Sequence, residues 1–281
     1  MIKNTLFIYK RIVYYLYIGG KIMTKAIFFD IDGTLISNTT RRISPKLIEA
    51  FNKLRKKGIL LFIATGRHYR EIRSLQILED FQFDGYITLN GCYCYTQDAV
   101  IYKAVIDKRD VKRVIEIVNQ KDIACLFVEA EKFYLNKVNT RVLEAQQEIH
   151  TPLPNIIDIN RALENDIYQL IPYITDEEID LFLEVTKNCK GTRWHPFAYD
   201  IIPSSGGKEE GIKKMLSHYN ITKEATMAFG DGHNDIGMLQ YVNIGICMAN
   251  GEDMTKKSSD FVTKSVDDDG ILYALQHFGV I

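Results

Sequence analysis

The chain predicts an α/β protein, with a parallel sheet covered by helices on both faces, on three observations. Short, wholly apolar runs alternate with segments of helical period. The runs have no polar face, as strands buried on both sides require. Two of them end in acidic turns far apart in the sequence. Ala26-Ile27-Phe28-Phe29 opens the series. Ser44-Pro45 starts a helix through Leu47, Ile48, Phe51 and Leu54, with Gly58 ending it. A strand over 59–64 and a helix over 68–78 follow, then a strand over 86–89 running into Asn90-Gly91. Beyond lies a long insertion read as helix 111–118, strand 123–128, helix 138–149, strand 168–174 and helix 177–186, a small sheet with helices on one face. The chain returns near Asp200-Ile201-Ile202-Pro203, continues through strands at 226–229, 244–247 and 260–262, and closes with an amphipathic helix through Ile271, Leu272, Leu275 and Phe278.

The chemistry sits at the ends of the apolar runs, where open α/β sheets bind ligands. Asp30-Ile31-Asp32-Gly33-Thr34 offers two acids one residue apart. Asp30, held against a divalent metal, can attack phosphorus. Asp32 can then move protons at the leaving group. Gly33 permits a sharp turn close to the ligand, and Thr34 offers a hydroxyl to orient the second acid. The later turn, Gly230-Asp231-Gly232-His233-Asn234-Asp235, supplies two acids suited to Mg2+. Thr65-Gly66-Arg67 places a hydroxyl and an amide where a phosphate oxygen can be held. Lys208, after Ser204-Ser205-Gly206-Gly207, can neutralise phosphate and nucleophile together. Each string also has a plainer use: a polar turn, an N-cap such as Asn234, or a solvated helix lysine.

The order DxDGT, Thr-Gly-Arg, a lysine before a helix, then GDxxND resembles the haloacid dehalogenase-like phosphatases. The long insertion beginning at Asn90-Gly91 resembles the Cof-type branch of that family. The resemblance covers nearly the whole chain from Met23. It implies a Rossmann-like doubly wound parallel-sheet core, residues 23–89 and 196–281, with an inserted α/β cap domain over 90–195. It implies Asp30 as nucleophile and metal ligand, and Asp32 as general acid/base with its carbonyl on the metal. It further implies Thr65 and Gly66 on phosphate, Lys208 as the neutralising cation, Asp231 and Asp235 on Mg2+, and Asn234 orienting phosphate or lysine. Arg67, Asn90, Arg193 and His195 are candidate substrate contacts, with Tyr199 and Asn136-Lys137 further afield. One departure is visible: the family usually carries glycine after the motif lysine, and this chain carries Glu209. The implied activity is Mg2+-dependent hydrolysis of small phosphomonoesters, sugar phosphates or phosphorylated cofactors, through an aspartyl-phosphate. A phosphomutase-type transferase and a catalytically silent phosphometabolite-binding module are the alternatives.

Composition is consistent with this reading. The 281 residues are 46% apolar, ample for a core, and 35 basic against 36 acidic residues leave a net charge of −1. No electrostatic case exists for a nucleic-acid or membrane-surface partner, so the expected partner is a small-molecule phosphate ester. A monomer or small homo-oligomer is expected. Five cysteines without a C-x-x-C pair read as reduced core thiols of a cytoplasmic protein. Residues 1–22 stand apart. Lys10-Arg11 splits their apolar stretches below the ~18 residues of a membrane span, and no secretory cleavage site follows. Their basic, tyrosine-rich composition is compatible with an interfacial helix. The simpler expectation is that Met23 is the true start.

Overall fold

The computed structural model describes residues 23–37, 39, 41–75, 81–149 and 151–281. The reading of residues 1–22 and the end of the helix expected over 68–78 lie outside the described residues.

The first sheet has eight strands: β1 (Ala26–Phe29), β2 (Leu60–Ala64), β3 (Gly85–Thr88), β4 (Tyr93–Tyr95), β5 (Val100–Lys103), β11 (Thr226–Gly230), β12 (Ile244–Cys247) and β13 (Phe261–Val262). Their order is β13-β12-β11-β1-β2-β3-β4-β5. The first six in that order are parallel, and β4 and β5 add antiparallel at one edge. Side-chain alternation on β1 explains why this strand is apolar throughout. Ile27 and Phe29 face the helices Pro45–Lys56 and Gly270–His277, through Phe51, Leu54, Ile271 and Leu275. Ala26 and Phe28 face the helices Lys208–Tyr219 and Ile236–Tyr241, through Ile212, Met215 and Met238. Both faces are dry, so no position on β1 accommodates a polar residue until the strand ends. Ser44 caps the helix Pro45–Lys56 by accepting from the Leu47 amide at 3.3 Å, with Pro45 in its first turn.

The second sheet is antiparallel, built from β6 (Cys125–Val128), β7 (Phe133–Leu135), β8 (Gln169–Pro172), β9 (Cys189–His195) and β10 (Ala198–Pro203) in the order β7-β6-β8-β10-β9. Cys125, Phe127, Leu170 and Ile201 pack against the helix Lys108–Gln120 and Phe182. Leu126, Val128, Ala198 and Ile202 form the opposite face, where Val142 and Ala145 of the helix Thr140–Glu148 join them. Helical side chains therefore pack on both faces, against the expectation of one.

Strand pairing also moves the expected division of the chain at 90–195. Tyr93–Tyr95 and Val100–Lys103 extend the first sheet, because β4 folds back on β3 before the chain leaves. Ala198–Pro203 stays in the second sheet, because it forms one hairpin with β9. The crossings accordingly lie after Lys103 and after Pro203.

Where the chain returns, two glycines meet. Gly207 donates its amide to the Asn90 carbonyl at 2.7 Å. Gly91 has φ +83° and lies so close that an added Cβ would fall 1.9 Å from the Gly207 carbonyl oxygen. Gly58, φ +74°, has nothing within 4 Å of such a Cβ. Gly58→Ala should therefore cost about 1 kcal/mol, the left-handed penalty alone. Gly91→Ala should cost roughly twice that or more, because backbone must also shift. Urea denaturation of the two variants, side by side, measures the difference.

Candidate active site

Adjacent parallel strands bring distant residues together. β1 pairs with β11 and β2 in register, so Asp30, Asp231 and Thr65 each follow the last residue of a neighbouring strand. All three emerge at the C-terminal edge of the sheet. The Asp30 amide donates to the Phe229 carbonyl at 3.0 Å, which locks the two acidic turns side by side. Gly33 makes the approach possible: with φ +72°, an added Cβ would sit 2.2 Å from Asp231 Oδ2. Thr34 donates its hydroxyl to Asp231 Oδ1 at 3.1 Å, so it orients the later turn's acid and not Asp32 as the sequence suggests.

Lys208 is 1% exposed and opens the helix Lys208–Tyr219. Its Nζ donates to Asp30 Oδ1 and to Asp235 Oδ1, both at 2.6 Å. Burial on its own would lower the lysine pKa, but Asp235 and Asp30 outweigh it and the net direction is upward. The ammonium is therefore permanently charged. Glu209, standing where the family carries glycine, does not displace it: the Glu209 carboxylate packs over Gly207 and Gly237 and pairs with Lys190 at 3.3 Å. Asp235 is fully buried, and its Oδ2 accepts the Asp231 and Gly232 amides, each at 2.9 Å.

Asp30, Asp231 and Asp235 each offer a carboxylate oxygen, all within 4.8 Å of one another. Burial raises the Asp30 carboxyl well above the usual range, with Lys208 opposing and the neighbouring acids adding to the rise. Burial, then Asp235, pushes Asp231 up to about 7. Three hard oxygens whose charges repel in a sealed corner fit Mg2+, which takes carboxylates and relieves that repulsion.

The other expected residues surround this centre. Arg67 grips Asp32 with two hydrogen bonds, 2.6 and 2.8 Å. Thr65 is 1% exposed, and its Oγ1 accepts the Arg67 amide at 3.1 Å. Gly66 lies against the Asn90 side chain, which an added Cβ would crowd at 3.2 Å. Asn90, in the left-handed region at φ 51°, accepts from Asn234 Nδ2 at 3.0 Å and donates to Asp200 Oδ2 at 2.7 Å. Arg193 borders the cavity, but its guanidinium is bonded to Asp176 at 3.1 Å. His195 is buried against Glu148 at 3.0 Å and lies outside the cavity wall. Tyr199 bonds Asp176, and Asn136 brackets the Cys125 amide and the Ile123 carbonyl, both packing roles.

Between the sheets lies a cavity of about 380 Å³ whose floor holds Asp30, Asp32, Thr65 and Asp231. Its roof is Gln169, Ile171, Thr192, Trp194 and Asp200. Sequence reasoning missed these roof residues. On β9, Thr192, Arg193 and Trp194 all border the cavity, with the Arg193 guanidinium tied to Asp176, while the His195 side chain pairs with Glu148 outside it. Asp200, an acid set among the apolar residues of β10, was the available signal.

A family description, haloacid dehalogenase-like hydrolase, matches residues 27–275. The chain belongs to the haloacid dehalogenase-like hydrolases. Among similar proteins of this hydrolase family, Bacillus subtilis YkrA, named as a presumptive phosphatase, is 31% identical over 92% of this chain and 99% of its own. The subclass IIB sugar phosphatase BT4131 superposes with a TM-score of 0.85 at 38% identity, covering 92% of this chain and 100% of that one. BT1666 from Bacteroides thetaiotaomicron, a phosphatase of the same superfamily, gives a TM-score of 0.86 at 32% identity over 94% of this chain and 98% of that one. This haloacid dehalogenase-like hydrolase is thus a phosphatase of the Cof-type branch. No helix among the described residues is long and apolar enough to cross a membrane.

The two sheets touch beside this site. His68 Nε2 lies 3.2 Å from the Glu129 carbonyl and 2.9 Å from that of Ala130, while Nδ1 accepts the Arg70 amide at 3.2 Å. Carbonyls only accept, so Nε2 carries the single proton and the ring is neutral. Burial lowers its pKa from 6.5 to about 4. The unfolded chain binds that proton first, so stability is intact above pH 6.5 and falls as pH drops towards 4. Between pH 7 and 5 the wild type should lose about 2 kcal/mol more than His68→Asn does, by urea denaturation at each pH.

Proposed function

We propose that the protein hydrolyses small phosphomonoesters, with Mg2+, through an aspartyl-phosphate on Asp30. The observation that carries this reading is the pairing of Asp30 with a buried ammonium, 2.6 Å away, at the edge of a three-carboxylate cluster. Asp30, Asp231 and the Asp32 carbonyl, with Asp235 in reach, would hold Mg2+, which would supply the positive charge that lets an anionic nucleophile approach an anionic phosphoryl group.

The chain's own groups then divide the work. Lys208 fixes Asp30 Oδ1 and leaves the second carboxylate oxygen to attack phosphorus. The new O–P bond forms as the bond to the leaving oxygen breaks, and that oxygen takes its proton from Asp32. Asp32 therefore has to leave the Arg67 grip when substrate arrives, which frees the guanidinium for substrate oxygens. Thr65 Oγ1, the Gly66 amide and Asn234 hold the phosphoryl oxygens. In the second half, Asp32 takes a proton from water, water oxygen bonds to phosphorus, and the Asp30–phosphorus bond breaks to release phosphate. Phosphate-ester hydrolysis is slow enough uncatalysed that these groups together must remove on the order of 20 kcal/mol of barrier.

The substrates are sugar phosphates or phosphorylated cofactors, in keeping with a cavity of about 380 Å³ and with the sugar phosphatase it superposes on. Five unpaired thiols support a reducing, cytoplasmic setting.

Phosphate release from p-nitrophenyl phosphate tests the mechanism. Activity should require Mg2+, vanish with EDTA, and fall about 1000-fold or more in Asp30→Asn. Lys208→Met should fall by a similar order and also unfold at lower urea, since two buried carboxylates lose their counter-ion. Full turnover by Asp30→Asn would reject the nucleophile.

A further inference from the structure

Asp200 is a buried carboxylate on β10 that the phosphoryl chemistry leaves without a task. It is 9% exposed, and no lysine or arginine among the described residues pairs with it. Burial pushes its carboxyl up to about 7, opposed most by the hydrogen bond from Asn90. A serine, threonine or asparagine here could satisfy Asn90 with a smaller desolvation penalty. Each of those would also leave the direction of the bond open, because each donates as well as accepts. An ionised carboxylate only accepts.

That one-sidedness is passed along a chain of amides. Asn90 Nδ2 donates to Asp200 Oδ2 at 2.7 Å, so Asn90 Oδ1 is the atom turned to the later acidic turn, where it receives Asn234 Nδ2 at 3.0 Å. The Asn90 backbone is fixed on both sides, its amide on the Thr65 carbonyl at 3.0 Å and its carbonyl under the Gly207 amide at 2.7 Å. The residue is 4% exposed, so its side chain takes its orientation from these neighbours and not from bulk water. Asn234 borders the cavity, and its amide nitrogen has two protons. One goes to Asn90, and the second remains for a ligand oxygen. Asn234 Oδ1 is turned back against Gly232, where an added Cβ would fall 3.0 Å from it. Reversing the Asn90 amide would reverse Asn234 with it, and an oxygen would then meet the anionic group this residue holds.

Resting on the phosphatase reading of this same site, we propose that Asp200 is a positioning residue for the phosphoryl grip: acting through Asn90, it makes Asn234 present an N–H and not an oxygen to the phosphoryl group. Asp200 belongs to the second sheet, while Asn90 and Asn234 lie on loops of the first, so both layers set the grip together. The sign of the effect separates this role from a plain electrostatic one. A buried negative charge near the site repels phosphate, so its removal alone should tighten binding. The relay predicts the opposite.

Calorimetric titration of inorganic phosphate in the presence of Mg2+ makes the test, on the wild type, Asp200→Leu, Asn234→Ala and the double variant. Each single substitution should weaken phosphate about tenfold, the worth of one hydrogen bond to a charged group, and the double variant should bind no more than about twofold worse than Asn234→Ala. KM for p-nitrophenyl phosphate should rise by a similar factor in Asp200→Leu while kcat changes less, since the grip acts both before and during transfer. Asn90→Gly cuts the chain of bonds at its middle and keeps the left-handed backbone, so it should reproduce these results even if Asp200→Leu does not fold. Effects that multiply, or phosphate binding that is unchanged or tightened in Asp200→Leu, overturn the relay even where Mg2+-dependent turnover upholds the phosphatase. Coupled losses in a protein that hydrolyses no ester would uphold the relay and reject the phosphatase. Failure of the wild type to bind phosphate overturns both.

Discussion

One buried ammonium holds this molecule's chemistry and much of its architecture in place. Lys208 sits between Asp30, at the floor of the cavity, and Asp235, sealed from water behind it, two buried carboxylates that follow different strands. Without it, the site would be a set of acids whose mutual repulsion and lost hydration oppose folding. With it, Asp30 is aimed and the upward push of burial on its carboxyl is opposed, and Asp235 can spend its other oxygen on the amides of the Asp231 turn. The helix Lys208–Tyr219 therefore does two things: it covers one face of the sheet through Ile212 and Met215, and it delivers a charge to the sheet's edge. Packing and electrostatics are satisfied by the same twelve residues.

The core was legible because its signals are local and redundant. Each central strand is an apolar run that ends abruptly in Asp30, Thr65 or Asp231, and a parallel sheet with both faces covered places those ends in one row. The partner of Thr34 was not legible. Which acid a hydroxyl reaches depends on the approach of two turns 197 residues apart, set by the absence of a side chain at Gly33. Sequence shows the glycine and gives no indication of what passes beside it.

The inserted layer was harder, for a physical reason. Its sheet is antiparallel, with short strands whose side chains alternate between a hydrophobic layer and a half-open cavity. A period of two offers two phases, and choosing by charge found Arg193 but passed over Thr192 and Trp194, which border the cavity beside it. The edge strand Phe133–Leu135 is three residues long, too brief to carry a pattern. Pairing decides its membership, and pairing is a property of the folded chain.

The contact between Gly91 and Gly207 lies below the crossings, within the layer of the first sheet. The turn between β3 and β4 meets the returning segment there with no side chain between them, one residue from Lys208 and one from Asn90. A side chain at Gly91 would press on the peptide that leads into Lys208, so the seat of the nucleophile's counter-ion depends on a residue that carries no chemistry of its own.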